Sequence, residues 1–283
     1  MIKCLLFILI FTVWTLFVVM CIDINRFVTK EYTIYSDRIE DKLDIVLLAD
    51  MHNKEFGRDN YKLIKAIKDF EPDIICCAGD MMTAKKDGYS KAVSLFSYLK
   101  EYPIYYSLGN HEYHTKIYPE RHGDTYDVYT EKIKELGVHV LENDHIDLAD
   151  RKIRMQGIMI DEKYYKKTVK AQMSSQYVTD LTGMDGSEYT ILLAHNPEYF
   201  EQYAKAGADL VFAGHVHGGL MRLPVLGGVI SPKLKLFPEY DGGIFTHDNS
   251  QMVLSRGLGY HTLPLRIFNP GELICVHLLP CKD

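Results

Sequence analysis

Basic charge is in short supply: 32 Lys and Arg stand against 38 Asp and Glu in 283 residues, a formal net charge of -6. Such a chain has no strong positive field to draw in a phosphate backbone, so nucleic acid is not an expected partner. Cysteine is sparse as well, six in all. Cys4 and Cys21 lie in or beside an apolar run, and Cys76 and Cys77 are neighbours on a strand-like segment, where successive side chains point to opposite faces. Cys275 and Cys281 could pair in an oxidising compartment, but free, buried thiols are the simpler reading. No linker rich in Gly, Ser or Pro divides the chain, and 47% hydrophobic content suffices for one large core, so a single catalytic domain is expected.

Long uncharged apolar runs are missing too, with one exception between Lys3 and Asp23. At about 1.5 Å per helical residue the run from Cys4 to Ile22 just crosses a hydrocarbon layer. Met20-Cys21-Ile22-Asp23 lacks the small-x-small pattern of a cleavage site, and no twin arginine precedes the run. Residues 1–24 therefore read as an uncleaved, single-pass transmembrane anchor, placing the protein in a membrane, the cell membrane by expectation. Lys3 on one flank and Arg26, Lys30 and Arg38 on the other leave its orientation open. Residues 25–42 read as a connector with a short strand, Tyr32 to Tyr35, and 43–283 as the domain.

Apolar strands alternate with helical patterns from there on. Leu43 to Ala49, Asp73 to Ala78 and Pro103 to Leu108 are continuous runs of the type buried on both faces. Amphipathic stretches at Asn60 to Phe70, Gly88 to Lys100 and Tyr126 to Leu136 separate or follow them. A hairpin at Ile146 to Gly157 marks a change of direction, and Tyr189 to Ala194 and Ala208 to Ala213 resume the buried runs. Beyond Gly219, segments rich in Gly and Pro, a hairpin around Asp248-Asn249-Ser250 and a last strand, Glu272 to Leu278, suit a second sheet. The expected class is α/β, a four-layer α/β/β/α sandwich of two mixed sheets carrying an N-terminal transmembrane helix.

Five of the buried runs end in groups that bind metals. The strand-end residues are Asp50 and His52, Asp80, Asn110 and His111, His195, and His215 with His217. In His215-x-His217 and Asp50-x-His52 the i, i+2 spacing puts both side chains on one side of an extended backbone. Open α/β sheets bind ligands at the carboxyl ends of their strands. Mixed oxygen and nitrogen donors favour Mn, Fe, Zn or Ni over Ca or copper–thiolate chemistry. Seven ligands are too many for one tetrahedral ion, and two divalent ions sharing a carboxylate fit better.

Asp50-x-His52, Gly79-Asp80, Gly109-Asn110-His111-Glu112, a lone His195 and Gly214-His215-x-His217 resemble, in order, the five motifs of the calcineurin-like metallophosphoesterase superfamily. Ser255-Arg256-Gly257-Leu258-Gly259 with Pro264-Leu265-Arg266 is similar to its branch of small membrane-associated bacterial phosphodiesterases. The resemblance implies one metal on Asp50, His52 and His217, a second on Asn110, His195 and His215, and Asp80 bridging them. It also implies a shared hydroxide that attacks phosphorus, with His111 as general acid or as a hydrogen-bond donor to the phosphoryl group.

In many relatives an acid lies three positions after the bridging Asp, and in the protein phosphatases an arginine follows that acid. Here those positions hold Thr83 and then Ala84-Lys85-Lys86. Glu112 or another acid would have to support His111, and the missing arginine tilts the expectation toward phosphodiesters. The leading expectation is a membrane-anchored, dinuclear, Mn-favouring phosphodiesterase. A phosphatase or pyrophosphohydrolase on a lipid-linked or nucleotide substrate, and a non-catalytic metal-binding scaffold, are the alternatives. His114, His122 and His261 are rim candidates, His139 and His277 strand residues, and Tyr113 to Tyr129 either a lid or a packed cover.

Overall fold

Side-chain alternation along the central strands builds the layers. In the computed structural model, which describes residues 1–85, 87–166, 171–223, 227–230, 236–260 and 264–281, a long apolar helix, α1 (Ile2–Asp23), precedes β1 (Phe27–Ser36) and β2 (Leu43–Leu48). Next come α2 (Tyr61–Phe70), β3 (Ile74–Ala78), α3 (Ser90–Leu99), β4 (Ile104–Ser107), α4 (Asn110–Ile117), α5 (Pro119–His122), α6 (Thr125–Glu135) and β5 (Val138–Leu141). A hairpin of β6 (His145–Leu148) and β7 (Ile153–Gly157) leads to α7 (Ser175–Thr182), β8 (Tyr189–Leu193), α8 (Phe200–Lys205) and β9 (Leu210–Ala213). The short pair β10 (Met221–Leu223) and β11 (Gly227–Ile230) precedes β12 (Gly243–His247), β13 (Ser250–Leu254) and β14 (Gly271–Pro280).

The first sheet has the order β1-β14-β2-β3-β4-β5 and the second β12-β13-β9-β8-β7-β6, each mixing parallel and antiparallel pairs. Odd and even positions of β2 and β3 separate cleanly. Ile45, Leu47 and Cys76 face Met155, Ile191 and Phe212 of the other sheet. Val46, Leu48 and Cys77 face Leu63, Leu95, Phe96 and Ile133 of the helices outside the first sheet. Leu192, Val211 and Met252 carry the second sheet's outer face against Val178, Phe200 and Tyr203. The result is the α/β/β/α sandwich that the period-two pattern implies. All six cysteines are free thiols, with Cys76 and Cys77 on opposite faces.

Two elements differ from the sequence expectation. The strand foreseen as Tyr32 to Tyr35 runs from Phe27 to Ser36 and pairs with β14 along its whole length. Its outward positions are polar, as an edge strand's are, and that hides it from a search for buried runs. The last strand, expected in the second sheet, inserts instead between β1 and β2 of the first, antiparallel to β2. Its continuous burial is the consequence, because both its faces are covered. Of α1, only Asp23 is buried, while Leu5, Phe7, Ile8, Phe11 and Trp14 are exposed. By length and composition it can cross a membrane.

Candidate metal centre

The strand-end aspartates and histidines singled out from the sequence arrive at one place, though by a different local route than the pleat suggests. Asp50, His52, Asp80, His215 and His217 lie just past their strands with φ of 49°, 48°, 53°, 72° and 52°. These are left-handed conformations that non-glycine residues adopt at a cost of roughly 1–3 kcal/mol each, and they gather at functional sites. Tight turns, rather than alternation on a strand, aim the side chains together. Glycine beside them is a steric requirement: a Cβ on Gly109 would stand 2.2 Å from Asp80 Oδ1, and one on Gly214 2.4 Å from Asp50 Oδ2.

Three overlapping clusters result: Asp50, His52 and His217; Asp80, His195 and His215; and His52, Asp80 and His111. In each, the candidate ligand atoms lie within 4.8 Å of one another. Both aspartates are divided in function. Asp50 Oδ2 accepts the His215 N–H at 2.9 Å, and Asp80 Oδ1 accepts the His111 N–H at 2.8 Å. Their other oxygens point into the site: Asp50 Oδ1 is 3.3 Å from His217 Nε2, and Asp80 Oδ2 is 3.2 Å from His195 Nε2 and 3.8 Å from His52 Nε2. Asp80 thus touches both flanks. His195 Nδ1 donates to the Ala78 carbonyl at 2.7 Å, which turns Nε2 toward the site. Asn110 begins α4, and its buried Oδ1, like Asp50 Oδ1, has no hydrogen-bond partner among the described residues.

Burial alone would push the Asp50 and Asp80 carboxyls up. Instead His217, His52 and His195 around Asp50, and His195, His111 and His52 around Asp80, hold both well below the usual carboxylate range. His195 answers in kind: burial lowers its imidazole, but Asp80 and Asp50 outweigh that and lift it to about 10. This is a site built to neutralise concentrated negative charge with something positive.

Glu112, one candidate for the support of His111 left open by Thr83, is held by backbone donors. Its fully buried carboxylate accepts the N–H groups of Asp80, Gly109 and Met82 at 2.9, 3.0 and 3.1 Å, pinning the loops of β3 and β4 together. The acid beside the His111 ring is Asp80. Glu112→Ala is expected to destabilise the metal-free protein by about 3 kcal/mol or more, because three buried donors lose their acceptor. Urea unfolding measures this, and a loss under about 1 kcal/mol would dismiss the clamp.

Alongside Asn110 and His111 opens a cleft of about 450 Å³ lined by Tyr113, His114, His122, Glu162, Tyr165 and Lys166, among others. Tyr113, His114 and His122 border this space, while Tyr126 and Tyr129 of the same segment are buried in the core. His261 and Lys86 fall outside the described residues. His139 lies on β5 and His277 on β14, where it meets Asp44 at 2.6 Å. Residues outside the strand-end set also shape the site. Tyr165 lies edge-on to His215 at 5.3 Å between ring centroids. Asn269 Nδ2 donates to the carbonyls of His217 and Gly219 at 2.7 and 2.8 Å. Buried Arg266 donates to the carbonyls of Gly259, Arg256, Gly257, Asn269 and Pro270, which fixes Gly257 under Asp50.

The family model for calcineurin-like phosphoesterases matches residues 43–219. A metallophosphoesterase of Helicobacter pylori strain J99 is 29% identical over 259 residues, covering 89% of this chain and 64% of that protein, so this chain spans somewhat under two thirds of that relative. The UDP-2,3-diacylglucosamine pyrophosphatase LpxG of Chlamydia muridarum is 23% identical over 83% of this chain and 82% of its own length. Among solved structures, a dimetal phosphatase from Danio rerio superposes with a TM-score of 0.44 at 10% identity, covering 76% of this chain and 87% of that one.

Proposed function

This chain belongs to the calcineurin-like phosphoesterase family, and on that premise we propose that it hydrolyses phosphodiesters at a two-ion centre held to a membrane by α1. The observation that carries the reading is the meeting of two ligand clusters at Asp80. The donor set fits a pair of cations: Asp50 Oδ1 and Asn110 Oδ1 are buried acceptors without a hydrogen bond among the described residues, an arrangement that costs about 1–3 kcal/mol per group unless a cation satisfies it.

We assign one ion to Asp50, His52 and His217 and the other to Asn110, His195 and His215, with Asp80 serving both. Mixed oxygen and imidazole donors suit Mn, Fe, Zn or Ni, and Mn is the ion to load first. When bound, such a pair supplies Lewis acidity that offsets charge on phosphoryl oxygens and lowers the pKa of a water toward neutrality. His111 handles the proton at the other end of the reaction. Its Nδ1 accepts the Ala84 N–H at 3.4 Å, so Nε2 carries the proton that a departing alkoxide needs.

A diester carries one fewer charge than a monoester, and the loop after Asp80 offers Thr83, Ala84 and Lys85 where a dianion would be gripped by an arginine. The exposed apolar length of α1 supports the anchor. A second reading, pyrophosphate hydrolysis on a lipid-linked substrate, draws on the likeness to the pyrophosphatase LpxG. A metal-binding scaffold would have no use for a proton donor at His111. The test is turnover of a chromogenic bis-aryl phosphate against its mono-aryl counterpart by the Mn-loaded full chain. Faster turnover of the diester is expected, and faster turnover of the monoester would reverse the preference. Hydrolysis of neither would leave the scaffold.

A further inference from the structure

Asp23, the last residue of α1, is 1% exposed, and its carboxylate is buried against the far end of the chain. Its Oδ2 accepts the N–H of Asn269 at 3.0 Å, while Arg26 Nη2 donates to Oδ1 at 2.8 Å. Asn269, itself fully buried, is the residue whose amide holds the carbonyls of His217 and Gly219. A second strap follows at once: Gly271 N–H donates to Arg26 O at 3.1 Å, and β1 begins at Phe27. No slack separates the end of the apolar helix from the domain.

That tether fixes a level. A helix of 22 residues measures about 33 Å, and the hydrocarbon layer takes about 30 Å of it, so Asp23 stands where acyl chains give way to headgroups. Whatever is hydrogen-bonded to Asp23 stands there as well. The neighbour of Asn269 is Phe268, 47% exposed and held at φ 53°. Ile267 pairs with Met221 of β10, β10 pairs with β11, and Ile230 of β11 bridges to Leu236, so three strand spacings, about 14 Å, reach from Ile267 to Leu236. There Leu236 and Phe237 are 62% and 58% exposed. Large apolar side chains open to water, clustered at the foot of a membrane helix, match an interface that is apolar on one side and wet on the other.

We propose that the edge formed by β10, β11 and residues 264–269 is a membrane-docking surface, with Phe268, Phe237 and Leu236 set into the headgroup layer of the bilayer that α1 crosses. This rests on the anchor reading of α1. It puts the loop of His217 one side chain, Asn269, behind the lipid surface, so the centre works on phosphoesters presented there.

Trp14, the chain's single tryptophan, lies in α1 and calibrates the test. The full chain carrying Trp14→Phe with Phe268→Trp, and separately with Phe237→Trp, is reconstituted into phosphatidylethanolamine–phosphatidylglycerol vesicles with acyl chains brominated near the headgroup, and the native chain, whose Trp14 lies near mid-bilayer, into vesicles with acyl chains brominated near their ends. The expected result is a blue-shifted emission at both new positions, quenched by bromine as Trp14 is in the native chain, with aryl diester turnover intact as the check on folding. Emission of a water-exposed, unquenched indole at both positions, beside a quenched native Trp14, would overturn the docking surface and leave the phosphodiesterase reading standing. An unquenched native Trp14 would remove the anchor, and the docking surface with it.

Discussion

Asp80→Asn keeps the sandwich folded but loses metal and turnover together. The substitution is nearly isosteric, and Oδ1 retains its backbone partner, the His111 N–H at 2.8 Å. What goes is the negative charge between His195 Nε2 at 3.2 Å and His52 Nε2 at 3.8 Å, on the carboxylate common to two of the three clusters. Losing an outer partner of a metal ligand costs about 10–100-fold in affinity or activity, and loss of a shared ligand exceeds that. The measurement is metal content per chain alongside diester turnover. Occupancy should fall from two ions toward one or none, with turnover reduced by more than about 100-fold. Full occupancy with native turnover would remove Asp80 from the centre.

The second large effect belongs to His111→Gln. General acid catalysis contributes typically about 10²–10⁴-fold, and that contribution depends on how badly the leaving group needs a proton. An alkyl ester should therefore lose about that factor in kcat, while an aryl ester, whose phenolate leaves unaided, should lose far less. Metal content should stay as it is, since Asn110 and Asp80 are untouched. Equal losses for both leaving groups would make His111 an orienting hydrogen-bond donor instead.

The clustering of the strand-end aspartates and histidines was legible in the sequence because each follows an uninterrupted apolar run, and such runs are central strands. Gly79, Gly109 and Gly214 completed the signal, since two of them mark places where a carboxylate oxygen leaves no room for a Cβ. The local geometry was not legible. Asp50, His52, His215 and His217 look like alternating strand residues, yet all have positive φ, and nothing in a period-two pattern announces a turn built from non-glycine residues. Pairing partners were hidden for another reason. Whether β14 joins the first or second sheet depends on contacts with β1 and β2, more than two hundred residues away in the chain. The bond from Asn269 to Asp23 spans 246 positions and leaves no local trace. Glu112 shows the opposite case: its place after Asn110-His111 invited an ionic role, while burial assigned it to three backbone donors.

The central claim is that two cations sit between these strand ends and share Asp80. Anomalous difference density from crystals of the Mn-loaded protein, collected at the Mn edge, tests it without reference to any substrate. Two peaks about 3.5–4 Å apart, one against Asp50, His52 and His217, the other against Asn110, His195 and His215, with Asp80 between them, are the predicted result. A single peak, or peaks away from Asp80, would contradict it.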